Sequence, residues 1–220
     1  MNRPRRAPTA PPPPTARALA VPLVAVTVAA VVLLAVVAVV VTRGGDGDGP
    51  TAPEQVEVAP VAVAGTPLPR LGSGADPAVG QVAPTLRGVG FDGSPVDVAP
   101  DGRPRMVVFL AHWCPHCQDE VPVVTDWLEK NGDPDGVQLL SVSTGVASNQ
   151  PNYPPSRWLE REGWKVPVLV DDADSTTSKV FGLSGFPFFV ATDAQGRVVA
   201  RADGAQPVAQ LEAMIAAARG

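Results

Sequence analysis

Four consecutive residues hold both thiols of this 220-residue chain: Cys114-Pro115-His116-Cys117. Two cysteines separated by two residues on the first turn of a helix can close a disulfide with little backbone movement. The helix N-terminus favours a thiolate on the first of them. Pro115 suits the first helical position, where its missing N–H is no loss, and His116 adds positive charge beside the Cys114 sulfur. The chemistry expected is thiol–disulfide exchange. Cys114 attacks, and Cys117, one turn deeper, resolves the mixed disulfide. Such a centre needs no cofactor beyond its own Cys114–Cys117 disulfide. A second reading is a copper-delivery or metal-binding module, because both histidines, His112 and His116, lie beside the cysteines and soft thiolates suit Cu(I).

The elements around the motif are arranged to present it. Met106–Ala111 is a continuous apolar run of strand length, as in a buried central strand, and it leads directly into the cysteines. A helix is predicted from Pro115 to Lys130, stopped by Asn131-Gly132 and kinked at Pro122. Upstream, Asp92-Gly93 turns a hairpin between Thr85–Val89 and Val96–Val98. Downstream, Val137–Ser143 reads as a strand, Thr144–Pro155 as a polar loop, and a short helix begins near Ser156. Val166–Val170 is a further strand, and Asp174 or Ser175 caps a helix closing at Gly182. Phe188–Ala191 and Arg197–Ala202 form a closing hairpin, and Pro207 opens a last helix with Val208, Leu211 and Ile215 on one face. Strands alternating with helices predict an α/β sandwich around a mixed sheet.

With Trp113 before the motif and Gly185-Phe186-Pro187 before a later strand, the chain resembles the thioredoxin superfamily. Glu120, Pro122 and the upstream hairpin narrow the resemblance to the membrane-anchored TlpA/ResA-type thiol–disulfide oxidoreductases, over roughly residues 80–219. The resemblance implies a thioredoxin fold, an exposed Cys114, a more buried Cys117, and a cis peptide before Pro187 facing the cysteines. It makes Phe186 the residue whose backbone pairs with substrate, and Trp113 a wall of the site. Cytoplasmic thioredoxins carry a buried acid six residues before the first cysteine. Val108 stands there in this chain, so proton handling falls to Glu120. Pro115-His116 resembles the strongly oxidising DsbA, whereas the membrane-anchored subfamily implies a reductant. A peroxiredoxin-type peroxidase is a third reading, opposed by Ala111, where those enzymes place a threonine.

Val21 to Val41 is apolar except for Thr27, and about 20 apolar residues span the roughly 30 Å hydrocarbon core of a bilayer. Arg3, Arg5, Arg6 and Arg17 precede the run, and acids follow it, which places the N-terminus in the cytoplasm. The run ends without a small-x-small site, so an uncleaved anchor is expected rather than a signal peptide. The organisation read from the sequence is a disordered cytoplasmic tail (1–17), a single transmembrane helix (18–42), a Pro/Gly-rich linker (43–80), and a thioredoxin-like domain (81–220) outside the membrane. The expected partners are cysteine-containing extracytoplasmic proteins and a membrane thiol–disulfide electron donor or acceptor. A net charge of -5 without a basic stripe argues against nucleic acid. Two cysteines exclude a disulfide scaffold and a four-cysteine zinc site.

Overall fold

The computed structural model describes residues 55–220. The tail, the membrane span expected over 18–42 and the start of the linker lie outside them. Among the described residues no helix is long and apolar enough to cross a membrane.

The frame is a five-stranded mixed sheet built around β4 (Arg105–Leu110). Its order is β6 (Val168–Val170), β5 (Gln138–Ser143), β4, β7 (Phe188–Thr192), β8 (Val198–Asp203). β4 runs parallel to β5 and antiparallel to β7, with Phe109 opposite Val142 on one side and Phe188 on the other. Every residue of β4 is buried. The two-residue period of a strand sends Met106, Val108 and Leu110 into one apolar layer and Val107 and Phe109 into the other. The first layer packs under α1 (Pro115–Asn131) and α4 (Val208–Arg219), through Val121, Val124, Leu211, Met214 and Ile215. The second is rich in aromatics, with the Phe109 ring 5.0 Å from that of Phe181 and 6.4 Å from that of Phe188.

The order of elements read from the sequence is present. β2 (Thr85–Val89) and β3 (Pro95–Val98) form the hairpin, α2 (Pro155–Arg161) is the short helix, and α1 runs unbroken through Pro122. One assignment differs around α3 (Thr176–Val180). Ser175 occupies the N-cap position but makes no side-chain cap. The orphan amides are taken instead by Asp172, which accepts from Asp174 N and Thr176 N, and by Asp171, which accepts from Thr177 N. Gly182 follows with a φ of +67°, and a Cβ there would run into the carbonyl of Pro69, so only glycine fits.

The larger correction concerns residues 43–80. Over their described part they are not a linker but a strap laid on the domain. β1 (Ala62–Ala64) pairs antiparallel with β2, extending the hairpin to a three-stranded sheet. Ala59, Leu68 and Ala78 are buried. Glu57 accepts hydrogen bonds from the backbone N–H and the hydroxyl of Ser156 at the start of α2. The strap shows no periodicity because it drops single apolar residues into separate sites, with prolines 60, 67, 69 and 77 between them.

Its firmest attachment is polar. The Arg201 side chain of β8 is fully buried, and its Nε lies 2.9 Å from Oδ2 of Asp76. It also donates to the carbonyls of Pro69 and Phe181, each at 2.9 Å. This hydrogen bonding holds the Asp76 carboxyl below the usual carboxylate range. Removing one partner of a buried pair leaves the other charge uncompensated. Asp76→Ala is therefore expected to cost about 3–5 kcal/mol of unfolding free energy in urea, far more than a surface substitution.

Candidate active site

The site forms where β4 ends. Leu110 passes into a tight turn closed by Cys114 N donating to Ala111 O at 3.0 Å, and Cys114 becomes the N-cap residue of α1 with Pro115 next. Both cysteines are thiols. Cys117 lies one turn further in, with no exposed surface, and its sulfur accepts a hydrogen bond from Ala111 N at 3.4 Å. Burial pushes the Cys117 thiol well above the ordinary cysteine range, and the nearby Cys114 and Glu120 push the same way.

Cys114 was expected to be exposed, yet it is 7% accessible. It is the more accessible of the pair, and the covering comes from across the sheet. Its thiol points at the carbonyl of Phe186, 3.6 Å away, and the Phe186–Pro187 peptide is cis. The Phe186 ring stands edge-on to Trp113, with centroids 5.9 Å apart. Both rings are half-buried, one on the residue before Cys114 and the other on the residue whose carbonyl its thiol faces. Phe188, two residues on, faces away into the second core layer, so it does not shape the groove. The structure thus brings Trp113, Cys114, Cys117, Phe186 and Pro187 together.

His116 sits exposed on the first turn of α1. Glu120 occupies the next turn inward from Cys117 and is only 2% exposed. Its Oε2 accepts from Gln206 N at 2.9 Å, while Oε1 is buried without a hydrogen-bond partner. Burial pushes its carboxyl upward, and the Gln206 bond offsets part of that rise. A carboxyl raised in the fold stabilises only while protonated in both states, so this contribution is lost as pH rises through the folded value. Glu120→Gln should therefore raise the thermal midpoint at pH 8, and the gain should vanish below about pH 4, the unfolded glutamate range.

In the sequence His112 simply stands two residues before Cys114. The structure makes it the anchor of the Thr144–Pro154 loop. It is 1% exposed. Its Nε2 accepts from Ala147 N at 3.2 Å, which leaves Nδ1 to donate to Pro151 O at 2.6 Å. Its carbonyl accepts from Asn152 Nδ2 and Gln118 Nε2. Trp113 adds a bond from Nε1 to Gly145 O at 2.7 Å. The two residues before Cys114 are thus both pinned to one loop, a role with no signature in the sequence because the partners are backbone groups.

Burial holds the His112 imidazole below its usual range, partly offset by its bond to Pro151 and by the Glu57 carboxylate. A histidine kept neutral in the fold contributes fully above the unfolded value and loses that contribution as pH falls. The thermal midpoint should therefore fall as the pH drops below about 6.5. His112→Phe should be about 2 kcal/mol less stable at neutral pH, from the lost hydrogen bonds, and should show a flatter dependence below it.

Comparison with known proteins places this geometry. The family model described as Redoxin matches residues 78–215. The chain belongs to the Redoxin family. Comparison with curated proteins returns no match. Among solved structures, a thiol:disulfide interchange protein DsbE from Chlorobium tepidum is 24% identical, with a TM-score of 0.54 over 64% of this chain and 96% of that one. StoA from Bacillus subtilis is 20% identical, with a TM-score of 0.51 over 63% and 98%. The thioredoxin domain of a Bacteroides vulgatus thiol-disulfide oxidoreductase is 21% identical, with a TM-score of 0.51 over 63% and 98%. These likenesses establish the thioredoxin fold. Family, fold and cysteine pair together make the chain a thiol–disulfide oxidoreductase.

Proposed function

We propose that the chain exchanges disulfides with cysteine-containing proteins outside the cytoplasmic membrane, as a reductant. Cys114 is the attacking thiol and Cys117 the resolving one. The observation that carries the reading is the Cys114 thiol facing the Phe186 carbonyl beside a Cys117 with no exposed surface. One sulfur meets the substrate and the other waits beneath it. Trp113 and Phe186 supply the apolar walls, and the Phe186 backbone is the edge with which an extended substrate segment pairs.

The reaction runs in two displacements. Cys114 attacks the substrate disulfide, forms a mixed disulfide and releases one substrate thiolate. Cys117 then attacks Cys114, closes the Cys114–Cys117 disulfide and releases the second. Glu120, buried three residues beyond Cys117 on α1, takes the Cys117 proton. A membrane thiol donor returns the pair to its reduced form, and the span over residues 18–42 keeps the domain near that donor. Glu120, Pro122 and the upstream hairpin, the features shared with the membrane-anchored subfamily, favour the reductant direction against the pull of Pro115-His116, and the potential of the Cys114–Cys117 pair decides between them.

The copper reading is disfavoured by His112, whose ring nitrogens are both engaged by backbone groups. Ala111, fully buried in the place of the peroxidase threonine, disfavours the peroxidase reading.

Cys117→Ala is expected to accumulate mixed disulfides with a few extracytoplasmic proteins, separable on non-reducing gels, and Cys114→Ser to accumulate none. Capture by neither variant under reducing or oxidising growth would count against protein substrates. A glutathione titration should give a potential nearer the roughly -270 mV of thioredoxin than the roughly -120 mV of DsbA. A value near the latter overturns the direction while leaving the exchange chemistry intact.

A further inference from the structure

The two oxygens of Glu120 are treated differently by the fold. Oε2 is held by the Gln206 amide, while Oε1 is buried and unpartnered. Gln206 belongs to the short loop between β8 and α4, and its amide precedes the helix, whose N-cap is Pro207. That N–H is therefore free of helical pairing and points at the carboxyl. The loop is fastened by the same residue. Gln206 Nε2 donates to Asp203 O at 2.8 Å and to Gly204 O at 2.9 Å. One residue thus aims its main chain at Glu120 and clamps the backbone that does the aiming.

Glu120 and Cys117 are three residues apart on α1, the spacing that puts side chains on one face about 5–6 Å apart at Cβ. The other ionisable groups near them are otherwise occupied or exposed. On α1, His116 and Asp119 are exposed. At the end of β8, Asp203 is exposed and accepts from Ser184 Oγ at 2.7 Å. On α4, Glu212 accepts from Trp127 Nε1 at 3.0 Å. The strand beneath, β4, contributes Val108 and Leu110 to the same layer as Cys117. Among the described residues no cation faces the carboxyl, and a backbone amide is the only hydrogen-bond donor to it.

We infer that Gln206 is a positioning residue for the resolving step: its backbone N–H fixes Oε2 of Glu120 and so leaves Oε1 as the atom that takes the Cys117 proton. The inference rests on the role given to Glu120 in the proposed function and adds the group that orients it. As Cys117 Sγ attacks the Cys114 sulfur, its proton passes to Oε1 and the Cys114–Cys117 bond forms. The bond from Cys114 to the substrate sulfur breaks, and the electron pair leaves on that sulfur, which is protonated by solvent. The enzyme loses two electrons and the substrate gains them. Glu120 then returns its proton to solvent. Without the amide, the carboxylate loses the hydrogen bond that favours its charged form, and it accepts and returns the proton at higher pH.

The test uses the reduced protein and an aromatic disulfide such as Ellman's reagent, whose coloured thiol is released once when Cys114 attacks and again when Cys117 resolves. The rate of the second release is followed against pH. Gln206→Pro removes the N–H and should move the midpoint of that profile upward, slowing resolution about tenfold below it, the worth of one charge-assisted hydrogen bond. Gln206→Ala keeps the N–H and loses only the side-chain clamp, so its midpoint should move by less than half as far as that of Gln206→Pro. A Gln206→Pro midpoint equal to the parent's overturns the inference, and so does a Gln206→Ala midpoint shifted as far as that of Gln206→Pro. Glu120→Gln separates the two levels. A second phase unchanged in that variant removes the proton role of Glu120 itself, whereas a flattened profile beside an unmoved Gln206→Pro removes only the role of Gln206. Should the proline variant not fold, the Gln206 amide proton in the parent decides by NMR. It is expected to titrate with the Glu120 carboxyl carbon, and a flat amide shift would sink the idea.

Discussion

The burial of β4 on both faces is the constraint from which the site follows. A strand with no exposed residue must continue inside the molecule until something lifts the chain out. The Ala111–Cys114 turn does this at the C-terminal end of β4. The emerging chain meets a helix start, so the first cysteine lands at the surface end and the second is carried back under it. Ala111 takes part twice: its carbonyl closes the turn on Cys114 N, and its amide donates to the Cys117 sulfur. The spacing of the thiols and their unequal burial come from one piece of backbone. β7, paired antiparallel with β4, brings Phe186 and Pro187 to the same end of the sheet.

Function is placed here at the expense of stability. A carboxyl with an unpartnered oxygen and a thiol raised by burial sit side by side in an apolar layer. Both would pack better as apolar side chains, because unsatisfied buried polar groups are costly. The compensation lies elsewhere, in strands buried on both faces and in polar groups that are fully paired. Asp171 shows the contrast. It is equally buried, but it accepts from Thr144 and Thr177 hydroxyls and from two backbone amides. One acid is satisfied and structural; the other is left short of partners beside a sulfur that must give up a proton.

The legible features in the sequence were those with a local cause. An apolar hexapeptide ending in a CxxC with proline at the helix start states a strand, a turn and a helix in order, and Asp92-Gly93 states a hairpin. Contacts between a side chain and distant backbone left no trace. His112 reads as an ordinary histidine until Ala147 and Pro151 are folded against it, and Gln206 reads as a loop residue until its amide is seen on Glu120. The strap was misread for a related reason. Periodicity detects an element that buries a face along its length, whereas residues 55–77 bury isolated side chains and fasten themselves through Asp76 and Glu57. Phe188 belongs to the core, while Phe186, two residues earlier, stands at the groove.

The strap also separates two ideas of where this domain begins. The family pattern starts at residue 78, yet the cohesive body starts some twenty residues earlier, and the buried guanidinium of Arg201 finds its counter-charge in that preceding stretch. Asp76 and Arg201, like Glu57 and Ser156, form pairs whose members lie on opposite sides of the recognised boundary. Inheritance must then treat them as linked: a lineage that loses the acid has reason to lose the arginine too. Swapping the catalytic portion between relatives at the family boundary would sever both pairs, so the unit that can be exchanged in evolution is the longer one.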